Sequence, residues 1–175
     1  RAAMMDLQRK LKEYVERFNT LDEECYLQAV PNAQAYEWLK EQIPLLECPD
    51  AALEETYYFR WWTFRKHWKE TPEGHIVTEF LPEVYWAGPY NSINCACCHH
   101  VREGRWLADP SGWMKEYIRF WLNRKGDALS YSTWLASVVE DYCRLREDDA
   151  FAAECLDGLV SLYHSWEEKA LQPCG

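Results

Sequence analysis

The sequence predicts an all-α fold built from helical hairpins. Apolar residues recur with a helical period in six segments, and the last two segments are joined by the short link at residues 146–149. Only residues 75–80 alternate in polarity, weakly, which allows a short β-hairpin around the turn at residues 71–74. At 175 residues, the chain is expected to form a single domain, residues 1–175, in which six helices make about three hairpins.

Three helices are predicted in the N-terminal part of the chain. The first ends near Asn19, and its apolar positions are Leu7, Leu11, Tyr14, Val15 and Phe18. Pro31 can open a second helix, which Pro44 ends. The third begins after Asp50, a plausible N-cap, and runs to about Lys69.

Three more helices are predicted in the C-terminal part. Ser111 is the expected N-cap of a helix that Gly126 stops, and Ser130 or Ser132 starts the next. The last helix follows the link at residues 146–149 and continues past Trp166. Between the two sets of helices, the apolar residues of 81–109 follow no sustained helical or strand period. This segment is predicted to form a long ordered loop, and such loops are often functional.

Composition and charge narrow the class of partner. A net charge of −10 argues against nucleic acid and against an anionic membrane surface, and it favours a neutral ligand. No run approaches the roughly 20 apolar residues of a membrane span, so none is expected. The eight cysteines do not have the spacing of a disulfide framework, and the cellular compartment stays open.

Two segments combine aromatic rings with planar hydrogen-bonding groups. Residues 57–68 interleave rings with cations, and residues 91–107 bring together amides, thiols, imidazoles, a carboxylate, guanidinium groups and an indole. An indole can cover the apolar face of a pyranose while polar side chains bind its hydroxyls. We therefore expect the two segments to line a carbohydrate-binding site. The candidate substrate-binding residues are Trp61, Arg65, Asn91, Asn94, His99, His100, Glu103, Arg105 and Trp106.

Each candidate also has a purely structural interpretation. Most tryptophans of such a chain belong to a core, and an Asn in irregular backbone often holds a turn. Adjacent side chains diverge, so only one of His99 and His100 is expected to face a given pocket. On the third helix Trp61 and Arg65 share a face, and we expect that face to point to the cavity.

Glu103 is the weak catalytic candidate. Trp106 could raise its pKa as a general acid requires, whereas Arg102 and Arg105 favour the ionised form. A structural Arg–Glu pair beneath the sugar site is the alternative interpretation of this carboxylate.

The cluster of cysteines and histidines at residues 95–100 raises the possibility of zinc. Thiolates and imidazoles are zinc ligands, but a structural site usually needs a second half elsewhere in the chain, and none is found. We expect no metal and no cofactor.

Several stretches resemble a known enzyme group. Residues 58–67, 78–82, 95–107 and 131–134 are similar to the six-hairpin, (α/α)6-barrel glycosidases of the trehalase-like and mannosylglycerate-hydrolase-like type. The resemblance implies part of an (α/α)6 toroid and a cofactor-independent glycoside hydrolase of inverting type that uses paired carboxylates. It also implies a partial chain whose catalytic pair is incomplete, with the remaining hairpins of a longer chain or a self-association partner completing it. The alternative is a non-catalytic helical interaction or carbohydrate-binding module.

Overall fold

The computed structural model describes residues 2–171, and Cys174 lies outside them. The described chain forms α1 (Ala2–Thr20), α2 (Ala35–Gln42), α3 (Ala51–Lys66), α4 (Asn94–Gly104), α5 (Trp113–Leu122), α6 (Leu135–Arg146) and α7 (Asp149–Ala170). Strands β1 (Trp68–Thr71) and β2 (Gly74–Val77) form a two-stranded sheet. The prediction of an all-α fold of helical hairpins with a short β-hairpin, as in part of an (α/α)6 toroid, is confirmed.

Two compact units make up the chain. Unit 1 contains the residues through Glu70 together with Trp106–Pro110, and unit 2 contains Thr71–Arg105 with the residues from Ser111 onward. The assignment of residues 1–175 to one incomplete domain stays a prediction.

Unit 1 is built on the mutual packing of α1, α2 and α3. The apolar stripe predicted on α1 is buried at Leu11, Val15 and Phe18. The Asp50 side chain accepts hydrogen bonds from the backbone N–H groups of Ala52 and Leu53 at 2.9 and 3.2 Å, which confirms it as the N-cap of α3. Helix α3 ends at Lys66 rather than Lys69 because the chain turns extended to form β1.

Unit 2 is centred on α5, which packs against β2, α4 and α7. Five of its ten residues are nearly inaccessible to solvent, namely Met114, Tyr117, Ile118, Phe120 and Trp121. A Cβ atom at Gly126 would lie 2.6 Å from the rings of Phe120 and Trp121, so only glycine fits there. Gly126 therefore serves close packing and does not stop the helix, which already ends at Leu122.

The prediction of an irregular loop over residues 81–109 was wrong for its second half. Residues 94–104 form α4, and a seventh helix joins the six that were predicted. Its buried positions follow a helical period but carry small or polar side chains: Asn94, Cys97, Cys98, Val101 and Gly104. Val101 is the only branched aliphatic residue among these buried positions, so the apolar pattern did not predict the helix.

Two helix starts also differ from the prediction. Helix α5 begins after Gly112, whose φ of 74° is left-handed, and Ser111 is not its N-cap. Helix α6 begins after Trp134, so neither Ser130 nor Ser132 caps it. At α7 the Asp148 side chain accepts a hydrogen bond from the N–H of Phe151 at 3.0 Å and provides the cap.

Helix α7 has apolar side chains on more than one face. Phe151, Cys155 and Leu162 are buried, whereas Leu156, Val160 and Tyr163 are exposed. A helix that is apolar around much of its circumference is usually covered on several sides. The prediction that the remaining hairpins of a longer chain or a self-association partner complete this chain stays a prediction. Among residues 2–171, no helix has the length and apolar character needed to cross a membrane.

A carboxylate–imidazole pair links β2 to α5. The His75 ring lies flat on Trp113, with ring centroids 3.9 Å apart. Glu116 accepts hydrogen bonds from the backbone N–H and from ring Nδ1 of His75, both at 2.8 Å. Burial alone would raise the pKa of Glu116, but these hydrogen bonds outweigh it and hold the pKa below its ordinary value.

Glu116→Gln is expected to lower the free energy of unfolding at neutral pH by about 1 kcal/mol, because charge-assisted hydrogen bonds are lost from a partly exposed group. A carboxyl group whose pKa is depressed by folding stabilises the protein above its unfolded pKa. That contribution disappears as the pH falls through the lower, folded pKa. In urea unfolding between about pH 6 and 3, the free energy of unfolding should therefore decrease less steeply with falling pH in the variant than in the wild type. Glu168 is exposed on α7, so Glu168→Gln should keep the wild-type slope of the free energy of unfolding against pH. Equal slopes for all three proteins would contradict this role.

Candidate functional site

The candidate site lies in unit 2, where two irregular segments meet the first turn of α4. We name residues 78–88 the aromatic loop and residues 127–134 the serine loop. Two asparagines near the start of α4, Asn91 and Asn94, hold these loops. Both are buried, and both were sequence candidates for ligand binding.

Asn91 holds the aromatic loop. Its Nδ2 group donates to the carbonyl oxygens of Phe80 and Pro82, both at 3.0 Å, and its Oδ1 accepts from the N–H of Val84 at 3.0 Å. Asn91 and Tyr90 have φ values of 66° and 59°, a left-handed conformation that Asn tolerates better than most residues. The amide therefore fixes the path of the loop, as in the structural interpretation of this residue.

Asn94 holds the serine loop through both ends of its amide. Its Nδ2 donates to the carbonyl oxygens of Ala128 and Tyr131 at 2.9 and 2.6 Å. Its Oδ1 accepts from the Ser130 hydroxyl at 2.8 Å and from the N–H of Tyr131 at 3.0 Å. Four hydrogen bonds from one buried amide leave the loop little freedom.

The two loops present aromatic rings to solvent. In the aromatic loop Phe80, Tyr85 and Trp86 expose 37%, 96% and 53% of their surface. Trp86 contacts the other two rings edge-on, with centroids 6.1 Å from Phe80 and 4.8 Å from Tyr85. The serine loop adds Tyr131, which is also about half exposed. Exposed rings in a fixed arrangement are typical of a binding surface.

Glu79 is one of the two carboxylates of the aromatic loop, and Glu83 is the other. Its Oε2 lies 3.9 Å from the Sγ atom of Cys95, in the first turn of α4. Burial and then the Glu79 charge raise the pKa of the Cys95 thiol, which stays protonated at neutral pH. Glu79 thus lies beside the first turn of α4 and directly precedes the exposed ring of Phe80 in the sequence.

Farther along α4, a group of basic and aromatic side chains is exposed between α4 and α6. The Arg102 guanidinium lies over the Trp134 ring at 4.9 Å, and the His99 ring meets the same indole edge-on at 5.4 Å. Arg102 and Arg105 both donate to Oδ2 of Asp141, at 3.2 and 2.9 Å. The pKa of Asp141 is lowered, mainly by the hydrogen bond from Arg102. Desolvation opposes this shift, and the charge of Arg105 adds to it.

The cysteines and histidines of α4 do not converge on one point. Cys97 and Cys98 are buried with their Sγ atoms 3.8 Å apart, whereas Cys95 and His99 are exposed. Nδ1 of His100 lies 3.0 Å from the hydroxyl of the buried Tyr117. Within the part of the chain that the structure describes, no group of three or more His, Cys, Asp and Glu side chains could hold a metal ion.

Two sequence candidates, Trp61 and Arg65, are buried in unit 1. Trp61 packs edge-on against Phe64 and Tyr57. The fully buried Arg65 guanidinium donates to the Val30 carbonyl at 2.5 Å. It also donates to Asn32 Oδ1 at 2.9 Å and to Gln28 Oε1 at 3.3 Å. Burial lowers the pKa of Arg65 to about 10, so it stays charged at neutral pH. The roles of Trp61 and Arg65 in ligand binding stay predictions.

The remaining candidates lie in or just after the last turn of α4. Glu103 is half-buried in that turn, Arg105 follows the helix, and Trp106 exposes 49% of its surface. The structure groups Arg105 with His99 around Arg102, Trp134 and Asp141.

Several accessible residues were not among the ligand-binding candidates predicted from the sequence: Phe80, Tyr85, Trp86, Arg102, Tyr131, Trp134 and Asp141. One feature could have identified two of them. Tyr85 and Trp86 are adjacent rings in an irregular segment between Pro82 and Gly88, where no helical or strand period would bury them.

Comparisons with known proteins support a glycoside hydrolase-like domain. Residues 88–175 match the family described as "Mannosylglycerate hydrolase MGH1-like glycoside hydrolase domain". A solved structure named "Sialidase" matches 92% of the chain with 39% sequence identity and a TM-score of 0.87. The chain spans 15% of the length of that protein. No curated protein has a significant match to the chain.

Proposed function

Since the chain belongs to the mannosylglycerate hydrolase MGH1-like glycoside hydrolase family, we propose that it provides a carbohydrate-binding surface of a glycoside hydrolase. The proposed surface consists of the exposed rings of the aromatic and serine loops in unit 2. The observation that carries the proposal is the fixed exposure of Phe80, Tyr85, Trp86 and Tyr131 on loops that two buried amides hold.

The chemistry of these residues fits a saccharide. A pyranose presents an apolar C–H face that packs on an indole or phenol ring, and its hydroxyls need planar donors and acceptors at the ring edge. Glu79 next to the rings can accept hydrogen bonds from hydroxyls, His99 lies farther along α4, and Arg105 follows that helix. Asn91 and Asn94 support binding by positioning the loops. Because the loops are already ordered, little conformational entropy is lost on binding.

Hydrolysis by the family's chemistry requires a carboxylic acid and a carboxylate on opposite sides of the glycosidic bond. In inverting enzymes the two carboxyl groups are roughly 6.5–9.5 Å apart. In this chain Glu103 is the proposed member of that pair. Whether the pair is complete here is tested by turnover of any saccharide that the chain binds, with Glu103→Gln as the inactive variant.

Trp86→Ala is expected to weaken saccharide binding about tenfold or more, because exposed aromatic anchors dominate such interfaces. Isothermal titration against a panel of neutral and acidic glycans that includes mannosylglycerate and a sialoside measures the effect. Tyr85→Ala should act in the same direction. Tyr163→Ala removes from α7 a ring whose exposure, 62%, lies between those of Trp86 and Tyr85, and it should leave binding unchanged. If the three variants bind alike, the aromatic loop is not the binding surface.

A further inference from the structure

Two adjacent cysteines of α4 lie side by side in the interior of unit 2. Cys97 and Cys98 expose 1% and 0% of their surface, and their Sγ atoms are 3.8 Å apart. Neighbouring side chains of a helix do not normally face each other. Two thiols in contact at such positions therefore form a distinct chemical group, and the proposed function gives it no role.

The two thiols differ in their acidity. The hydrogen bond from Cys97 lowers the pKa of the Cys98 thiol, burial opposes this shift, and a hydrogen bond from the backbone of Trp134 adds to it. The same contact between the two thiols, together with burial, raises the pKa of Cys97. Because the thiolate is the reactive form of a cysteine, Cys98 is the first nucleophile of the pair.

The separation of the two sulfur atoms fits a bridging atom better than a direct bond. A disulfide bond is about 2.05 Å long and usually joins residues whose Cα atoms are about 4.4–6.8 Å apart, whereas consecutive Cα atoms are only about 3.8 Å apart. An atom bonded to each sulfur at about 2.3 Å, with an angle of about 100–110° between the bonds, holds the sulfur atoms about 3.5–3.8 Å apart. The observed distance of 3.8 Å lies at this value.

The number of protein ligands selects the bridging atom. A structural zinc ion usually takes four protein ligands. Among residues 2–171, no group of three or more His, Cys, Asp and Glu side chains could hold a metal ion. Trivalent arsenic that carries one organic substituent needs only two thiolates, because the substituent already occupies its third position. Two soft thiolates without a third ligand therefore suit an organic arsenical.

We propose that Cys97 and Cys98 together bind trivalent arsenic that carries one organic substituent, and that the site is reached when the serine loop opens. The backbone of Trp134, at the end of that loop, contacts Cys98, so a local opening of the loop uncovers this thiol. In the reaction two As–S bonds form, the bond between arsenic and oxygen breaks, and the two thiol protons leave with that oxygen as water. The oxidation states do not change. The inference is independent of the proposed function.

Phenylarsine oxide is the reagent for the test, added to the intact chain in excess 2-mercaptoethanol. The monothiol removes arsenic from single cysteines, whereas a pair of thiols holds it by chelation. We expect a retained adduct that peptide mass spectrometry locates in α4 and that 2,3-dimercaptopropanol releases. Cys97→Ala and Cys98→Ala should each lower its yield tenfold or more. Cys95→Ala, an exposed thiol of the same helix, and Cys143→Ala, a buried thiol of α6, should leave the yield unchanged.

The rate of adduct formation tests the route of access. In Asn94→Ala, which is expected to release the serine loop, the adduct should form at least tenfold faster than in the wild type. The bound arsenical should also protect both thiols of the wild-type chain from iodoacetamide, a readout that needs no variant. Thermal unfolding of each variant confirms that it is folded.

Several results would overturn the proposal. The thiol pair is not the site if no adduct is retained in α4, if the adduct survives in Cys97→Ala or Cys98→Ala, or if iodoacetamide reacts with the two thiols equally fast in the presence of the arsenical. Loss of the adduct in Cys95→Ala would assign the site to a different pair of thiols. Equal rates in Asn94→Ala and the wild type would refute access through the serine loop.

Discussion

Arg65→Met is expected to lower the free energy of unfolding by about 2–4 kcal/mol, because a buried polar group left without its partner costs about 1–3 kcal/mol. The guanidinium is fully buried and serves acceptors on Gln28, Val30 and Asn32. Methionine has a similar length but no donor. It would leave the Val30 carbonyl and the Asn32 amide oxygen buried without the partner that Arg65 provides, and an unpaired buried acceptor is costly.

Urea unfolding followed by tryptophan fluorescence measures this change. Arg60→Met is the matched control, because Arg60 lies on the same helix but is exposed, and its replacement should change the free energy by less than about 1 kcal/mol. Arg65→Lys keeps the charge and should lie between the two, since one ammonium group cannot reproduce the planar fork. An Arg65→Met protein as stable as the Arg60→Met protein would refute the structural role.

The same variants address the predicted role of Arg65 in ligand binding. A folded Arg65→Lys protein with unchanged affinity for a saccharide would separate stability from recognition. From sequence alone, Arg65 could be assigned either role, because a cation among aromatic rings looks the same in a buried network and in a sugar site. What distinguishes the two is the segment at residues 28–32, whose position against α3 only the fold reveals.

Helices with large apolar residues could be predicted from the sequence, because burial of such residues stabilises the fold in proportion to their area. This rule found α1, α2, α3, α5, α6 and α7, and the separate preference of Asp for N-cap positions identified Asp50. It missed α4 because the helix buries an amide, two thiols and a glycine where other helices bury Leu or Phe. These residues permit close packing and specific hydrogen bonds, which a hydrophobic pattern does not register.

The sequence prediction selected residues that lie at the proposed surface, but the reasons for selecting them were incomplete. Asn91 and Asn94 were selected as possible ligand donors, and in the structure their amides are bonded to the backbone of the two loops. The rings that these loops expose, such as Tyr85 and Trp86, drew no attention because a sequence does not state which rings stay outside a core. Exposure is a property of the whole fold.

Asn94→Ala is expected to lower the free energy of unfolding by about 2–4 kcal/mol and to release the serine loop, because four hydrogen bonds disappear and the carbonyls of Ala128 and Tyr131 lose their donor. Asn94→Asp should be at least as damaging, since it places a negative oxygen against the carbonyls of Ala128 and Tyr131. Hydrogen exchange of residues 127–134 measures the local change, and urea unfolding measures the global one. Asn123→Ala, an exposed asparagine at the end of α5, should change neither.

Hydrogen exchange and saccharide affinity, measured on the same variants, together separate a positioning role of Asn94 from direct contact with a saccharide. If Asn94 acts through the serine loop, the loss of affinity in Asn94→Ala should accompany faster exchange at Tyr131. Ser130→Ala, which removes one of the four hydrogen bonds, should then show a smaller change in both. If affinity is lost while the serine loop stays protected, the amide touches the ligand itself, as the sequence suggested. Unchanged exchange with unchanged affinity would mean that the four hydrogen bonds around Asn94 do not hold the loop.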